Sequence, residues 1–470
     1  MNDLLTRPAV ELLALLNARK ISPLELAEEH IRQIEKLNPQ LNALIDFDPD
    51  RVYAQVTALE QSTTPRGPLH GLPTTVKASI AVAGHRCETG SLINKGYTPT
   101  EDAVIVTRAR QAGAVILGTT NCPEFLMAYE TDNRLYGPTS NPWDLTRTAG
   151  GSSGGESAAI AAGLSAAGFG SDGGGSVREP AHFTGICALK PTPGRIPAGG
   201  HLPPCVGPFS LLGTVGPMAR TIADVSLLFR TISGQDEADP TSAPVTLRHH
   251  TIQDLQKLPI GFFEDDGHTP VTPETRQAIR EAVRSLRRQG FHLEPFRPRA
   301  LEEARRLWWK FFVRSGAMFF DPVIAGREAD LSPTFRGFLD IARKDPPLTG
   351  DELLSAWAES DIVRGKLLEE MRRFPILITP VCSIPAFRHS ERAWEIDGQK
   401  VEYLDAMRYT QWFNLLGAPA AVVPAGWSTE GLPIGVQVAG RPYADEAVLG
   451  IAAAIERDFG YLPPPTSISI

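Results

Sequence analysis

Apolar positions in residues 8–36 recur at helical spacing: Val10, Leu12, Leu13, Leu15 and Leu16 form one stripe, and Leu24, Leu26, Ala27, Ile31 and Ile34 a second. Ile21-Ser22-Pro23 separates them, with Ser22 as N-cap, Pro23 at the first helical position and Glu25 in the first turn, so the pattern predicts two helices. Between residues 67 and 118 the texture changes to short apolar runs punctuated by Gly and Pro. LPTTVKASIAVAG predicts a strand with Lys77 near its end, and AVIVTRARQAGAVILGTTN predicts a helix followed by a strand over 114–118. In residues 150–176 two Gly-Ser loops, 150–155 and 173–176, bracket AAIAAGLSAAG, whose small residues predict a buried helix. A long Pro/Gly-rich loop follows, PTPGRIPAGGHLPPCVGPFSLLGTVG, too long for a plain connector and expected to cover a site. Residues 241–375 carry an amphipathic helical period and predict a helical insertion. PILITPV, AAVVPAG and GVQVAG then predict strands ahead of a closing helix over Asp445–Phe459.

Composition narrows the class. A chain of 470 residues with 42% hydrophobic and 21% charged residues can bury a large core and fits an ordinary α/β protein, one large domain with an insertion. Its 46 Lys+Arg against 54 Asp+Glu give a net charge of -8 without a basic stripe, which argues against a nucleic-acid partner. The five cysteines are dispersed and odd in number, as expected of free thiols in a reducing compartment rather than of a zinc site or a disulfide framework. No secretion signal and no stretch of 18 apolar residues stands out, so a cytoplasmic protein without a membrane span is expected.

The loops hold several candidate chemistries. Gly151-Ser152-Ser153-Gly154-Gly155 matches G-x-S-x-G, which would make Ser153 the nucleophile of a strand-to-helix elbow, yet the segment before it, NPWDLTRTAG, is turn-rich. A phosphate loop needs a lysine after its glycines, and Glu156 stands there instead. Ser176 follows Gly173-Gly174-Gly175, whose N–H groups can converge beside a hydroxyl as an oxyanion hole requires. A tight turn whose serine caps a helix is the alternative, and the loop alone does not separate the two. Lys77 closes an apolar strand, where burial lowers a lysine pKa by up to ~3–5 units and makes a base of it. A snorkelling structural lysine is the plainer reading. His182 and His201 have no accompanying signal and read as packed or exposed polar residues.

Three separated motifs together resemble the amidase signature family: Gly71-Leu72-Pro73-Thr74-Thr75-Val76-Lys77, the serine pair in Gly150-Gly151-Ser152-Ser153-Gly154-Gly155, and Gly170-Ser171-Asp172-Gly173-Gly174-Gly175-Ser176-Val177-Arg178. The spacings of 75 residues from Lys77 to Ser152 and 24 from Ser152 to Ser176 agree with the family's pattern. Further blocks, GICALKPT, GTVGPMAR and GLPIGVQV among them, extend the likeness, and only residues 241–375 fall outside it. The resemblance implies an α/β/α fold, a large mixed central β-sheet covered by helices on both faces, as a single domain over 1–470 with a helical segment at 1–60 and a pocket-shaping helical insertion at 241–375. It implies Ser176 as nucleophile, Ser152 as a bridging serine after a cis peptide bond, and Lys77 as the neutral base. The backbone N–H groups of Gly173, Gly174, Gly175 and Ser176 would form the oxyanion hole, with Ser153, Asp172 and Arg178 in support.

The activity so implied is hydrolysis of C–N bonds in apolar aryl or alkyl amides, with esters and carbamates as further small-molecule substrates. No metal or organic cofactor is implied, and a monomer or homodimer is expected. Alternatives are the glutamine-hydrolysing component of a tRNA-dependent amidotransferase and a non-catalytic binding protein on this scaffold; intact Lys77, Ser152 and Ser176 argue against the latter. Two departures stand out. Ala78 follows the lysine where the family usually has a carboxylate, which leaves Lys77 less tethered. Glu179 precedes Pro180 where an aliphatic residue is usual, and it is expected to pair with Arg178 or to be exposed. The loop 195–212 and the aromatics Trp308, Trp309, Phe311, Phe312, Phe319 and Phe320 are expected to shape the pocket, though such a helix serves equally well as core.

Overall fold

Val422 packs into one hydrophobic cluster while its neighbours Ala421 and Val423 pack into another. Such alternation marks a strand buried on both faces. In this computed structural model, which describes residues 3–62, 66–465 and 468, the strands in chain order are β1 (Leu44–Phe47), β2 (Pro73–Lys77), β3 (Val115–Thr120), β4 (Ser140–Asn141), β5 (Asp144–Thr148), β6 (Ala167–Asp172), β7 (Cys187–Lys190), β8 (Thr214–Ala219), β9 (Ile260–Phe262), β10 (Leu293–Pro295), β11 (Ile376–Pro380), β12 (Ala393–Ile396), β13 (Gln399–Glu402), β14 (Ala420–Trp427) and β15 (Pro433–Gly440). Among the described residues eleven of them form one mixed sheet in the order β1-β3-β2-β6-β8-β7-β14-β15-β11-β9-β10, with β4–β5 and β12–β13 as separate hairpins. Helices Val104–Gln111, Ile222–Ile232, Pro273–Arg288 and Asp445–Phe459 share a cluster with one face, and Gly154–Ala161 and Arg178–Thr184 cover the other.

The N-terminal helices form as the pattern predicts, Ala9–Asn17 and Pro23–Leu41, and Ser22 and Glu25 exchange hydrogen bonds in a capping box. Within 1–60, however, Leu44–Phe47 forms an edge strand antiparallel to β3, too short to show a period beside the long helices around it. The small-residue run AAIAAGLSAAG is not one helix. Its helix stops at Ala161, Gly163 turns left-handed at φ +73°, and Ala167 already belongs to β6. Residues 241–375 are likewise not purely helical, because β9 and β10 extend the main sheet in parallel with β11. Three-residue strands lie beneath what hydrophobic alternation can reveal.

Parallel pairing of β2 with β6 sets the site. With Thr74 opposite Ala167 and Val76 opposite Phe169, the strands run side by side and end at Lys77 and Asp172. Both loops that leave this edge are therefore delivered to the same place, the carboxyl end of a parallel pair. Among the described residues no helix is long and apolar enough to cross a membrane.

Candidate active site

Lys77 is wholly buried, so it does not snorkel to solvent. Its Nζ donates to Ser152 Oγ at 2.6 Å and to Ser171 Oγ at 3.1 Å. Burial pushes its pKa down to about 8, although Cys122, Asp172 and Glu156 favour the charged form. Glu156 sits in the first turn of helix Gly154–Ala161, held by the hydroxyls of Thr75 and Thr120, and burial pushes it up to about 8. Gly168 makes room for it: a Cβ there would lie 1.7 Å from Glu156 Oε1. No carboxylate directly follows Lys77 in sequence, and Asp172 and Glu156 are the carboxylates that act on it.

The two serine loops interlock. Ser152 follows a cis peptide bond from Gly151, and a Cβ on Gly151 would meet Ala128 O and Glu130 N at 2.6 Å, so only glycine lets the loop nest there. Ser153 N–H donates to Ser176 O at 3.1 Å, tying the loops together, while Ser153 Oγ faces the backbone of Ser171 at 3.3 Å. Ser152 and Ser176 line a common narrow cavity of about 50 Å³, which Ser153 does not reach. DLTRT before these loops does form a strand, β5, but in a hairpin outside the main sheet. The elbow reading thus lacks both the strand it requires and an exposed Ser153 hydroxyl.

Asp172 organises the glycine loop. It accepts from Gly175 N–H at 2.8 Å and Val177 N–H at 3.1 Å, and Arg178 engages both its oxygens at 3.0 and 2.8 Å. Burial pushes Asp172 up, but Arg178 and Asn414 outweigh it and hold the carboxyl far below the usual range. The carbonyls of the loop are gripped from outside: Trp308 Nε1 donates to Gly173 O at 2.9 Å, Tyr129 OH to Gly174 O at 3.1 Å, and Thr410 Oγ1 to Gly174 O at 2.6 Å. A Cβ on Gly173 would lie 2.7 Å from Phe312, and one on Gly174 2.6 Å from Trp308. Since Gly175 N–H is already given to Asp172, the amides of Gly173, Gly174 and Ser176 are the ones without a partner among the described residues.

Glu179 departs from expectation. It is neither paired with Arg178 nor exposed: Arg178 is consumed by Asp172, Asn414, Gln437 and the Thr410 carbonyl, and Glu179 lies fully buried beneath Gly175. His182 is packed, its nitrogens facing Gly435 and the Ile384 carbonyl. His201 lines the narrow cavity, and burial pushes it down to about 4.

The loop that predicted a cover contributes Pro203, Pro204, Cys205 and Phe209 to the narrow cavity, and Phe312 and Phe320 complete its apolar wall. Phe312 stacks on Trp308 at 4.8 Å, and both reach a wider cleft of about 1150 Å³ that also includes Ser176. Phe311 faces Trp357 in the core, so the aromatic cluster is divided between core and pocket. Sequence reasoning missed Ser171, Tyr129 and Thr410. Ser171 lay inside a quoted motif one residue before Asp172, whereas Tyr129 comes from a loop and Thr410 from the short 3-10 turn Arg408–Thr410, and nothing in the chain announces their proximity.

The sequence profile of the amidase family matches residues 25–449, including the 241–375 segment that the motifs had left outside. The chain belongs to the amidase signature family. It is 33% identical to an acylamidase of Rhodococcus erythropolis, over 95% of this chain and 94% of that protein. It is 34% identical to a glutamyl-tRNA(Gln) amidotransferase component of Chloroflexus aurantiacus, over 94% and 95% of the two chains. Among solved structures a bacterial aryl acylamidase of the same family superimposes with a TM-score of 0.85 at 27% identity, over 96% of both chains. This protein is accordingly an amidase-family enzyme acting on carbon–nitrogen bonds.

Proposed function

We propose that the chain hydrolyses amides of apolar aryl or alkyl acyl groups through a Ser176 acyl-enzyme, and esters and carbamates by the same route. The carrying observation is the 2.6 Å hydrogen bond from buried Lys77 to Ser152, in a cavity that Ser176 shares. Neutral Lys77 takes a proton from Ser152, Ser152 takes one from Ser176, and the freed Ser176 oxygen attacks the acyl carbon. Ser176 Oγ has no hydrogen-bond partner among the described residues, so this proton path requires Ser152 and Ser176 to come within hydrogen-bond reach in the substrate complex. The amides of Gly174 and Ser176, beside Gly173, receive the oxyanion. Returning along the same path, the proton goes to the leaving amine, and water repeats the sequence on the acyl-enzyme.

An apolar acyl group is supported by the narrow cavity, where Phe125, Phe209, Phe312 and Phe320 face the serines and Asp172 is neutralised by Arg178. The second reading, glutamine hydrolysis within an amidotransferase, is supported by the 34% identical amidotransferase relative. Turnover of a panel of anilides, alkyl amides, esters, carbamates and glutamine separates the two. Ser176→Ala should abolish anilide turnover with the fold intact, and glutamine turnover exceeding that of every anilide would favour the second reading.

A further inference from the structure

Thr410 Oγ1 has three neighbours: Gly174 O at 2.6 Å, Glu179 Oε1 at 3.1 Å and Met407 O at 3.3 Å. A hydroxyl carries one proton. The shortest contact is to a carbonyl, which has no proton to give, so the Thr410 proton lies on the line to Gly174 O. Glu179 Oε1 then meets a Thr410 lone pair, and the contact is a hydrogen bond only if the carboxyl supplies the proton. Glu179 Oε2 is buried without a partner among the described residues, which a neutral carbonyl oxygen tolerates far better than half of a carboxylate.

We propose that Glu179 is a positioning residue, a protonated carboxylic acid that donates to Thr410, which donates to Gly174 O and so fixes the oxyanion loop. This rests on the Ser176 reading above. Gly174 O receives a second hydroxyl in the same way, from Tyr129, whose oxygen is fed by Gln411 Nε2 at 3.0 Å. Two relayed donors hold one end of the Gly174-Gly175 peptide, and Asp172 holds its N–H end at 2.8 Å. The amides of Gly174 and Ser176 on either side take their direction from that plane. Charged or titratable neighbours of Glu179 are Arg178, Asp172, Tyr129, Tyr403 and Cys382. Burial pushes the Glu179 carboxyl well above its usual range, with Arg178 opposing and Asp172 adding to the rise; Thr410 opposes it only as a donor to Glu179, a role that the closer Gly174 carbonyl takes from it.

The test compares Glu179→Gln, whose amide can still donate to Thr410, with Glu179→Leu, which cannot. The infrared difference between wild type and Glu179→Gln at neutral pH should contain the carbonyl stretch of a protonated carboxyl; a carboxylate signature in its place would overturn the proposal. In anilide turnover, kcat of Glu179→Gln should exceed that of Glu179→Leu by about tenfold or more at similar KM, on the scale of a displaced oxyanion donor. Equal kcat values would overturn it too. Should Glu179→Leu not fold, Thr410→Ser against Thr410→Val reads the same link with the same expected ratio. Anilide activity surviving Ser176→Ala would instead remove the Ser176 reading, while the infrared band would still report the Glu179 proton.

Discussion

At the residue scale, the proposed chemistry turns on how a lysine is kept neutral inside a protein. Lys77 exchanges hydration for two serine hydroxyls, a trade that disfavours its charge. Its value of about 8 lies below that of a free lysine, about 10.4, and only the neutral form accepts a proton. The sign follows: kcat/KM should rise with pH and level off above about 8. Because Glu156 is also pushed to about 8, the profile is to be measured in Glu156→Gln as well, where the rise should persist. A profile flat across this range would show that Lys77 is not the base. The lysine and both serines were legible in the chain through their motifs. Ser171 was not, since a serine on a strand gives no sign of which neighbour its hydroxyl meets. The Arg178–Glu179 pairing failed for a related reason: adjacency in sequence does not outweigh Asp172, which faces the guanidinium with both oxygens.

At the element scale, glycines permit helix Gly154–Ala161 to lie directly on β6. A Cβ on Gly168 would reach 1.7 Å from Glu156 Oε1, and one on Gly170 would reach 2.7 Å from Ser153 Oγ. Gly168→Ala should therefore destabilise the fold by about 1–3 kcal/mol, the usual cost of overpacking. The double variant Gly168→Ala/Glu156→Ala should melt above Gly168→Ala alone, and a thermal unfolding series in which it melts lower would contradict this packing. The longer elements were readable because apolar stripes and caps repeat: Ser22, Pro23 and Glu25 announced the helix Pro23–Leu41. The short strands β1, β9 and β10 were not, because three or four residues carry no period and their pairing is long-range.

At the scale of the whole molecule, the large mixed sheet came from likeness and its strand order from neither likeness nor pattern, since alternation along a strand does not name the neighbouring strand. What the sheet achieves is convergence. β2 and β6 bring Lys77 and the glycine loop together, while Phe209 from the covering loop and Phe312 from the 241–375 segment close one wall of the narrow cavity at a ring-centre separation of 5.8 Å. Phe209 also meets Phe319 edge-on, so Phe209→Ala should raise KM for an aryl anilide by about tenfold with little change in kcat. A loss confined to kcat would place that loop in the chemistry instead of the acyl pocket.

The nucleophile itself is open to direct observation. Rapid quenching of the enzyme during turnover of an activated aryl ester, followed by peptide mapping by mass spectrometry, should find one acyl group, carried on Ser176, and none in Ser176→Ala. An acyl group on Ser153, or turnover with no acylated peptide at all, would contradict the Ser176-Ser152-Lys77 mechanism.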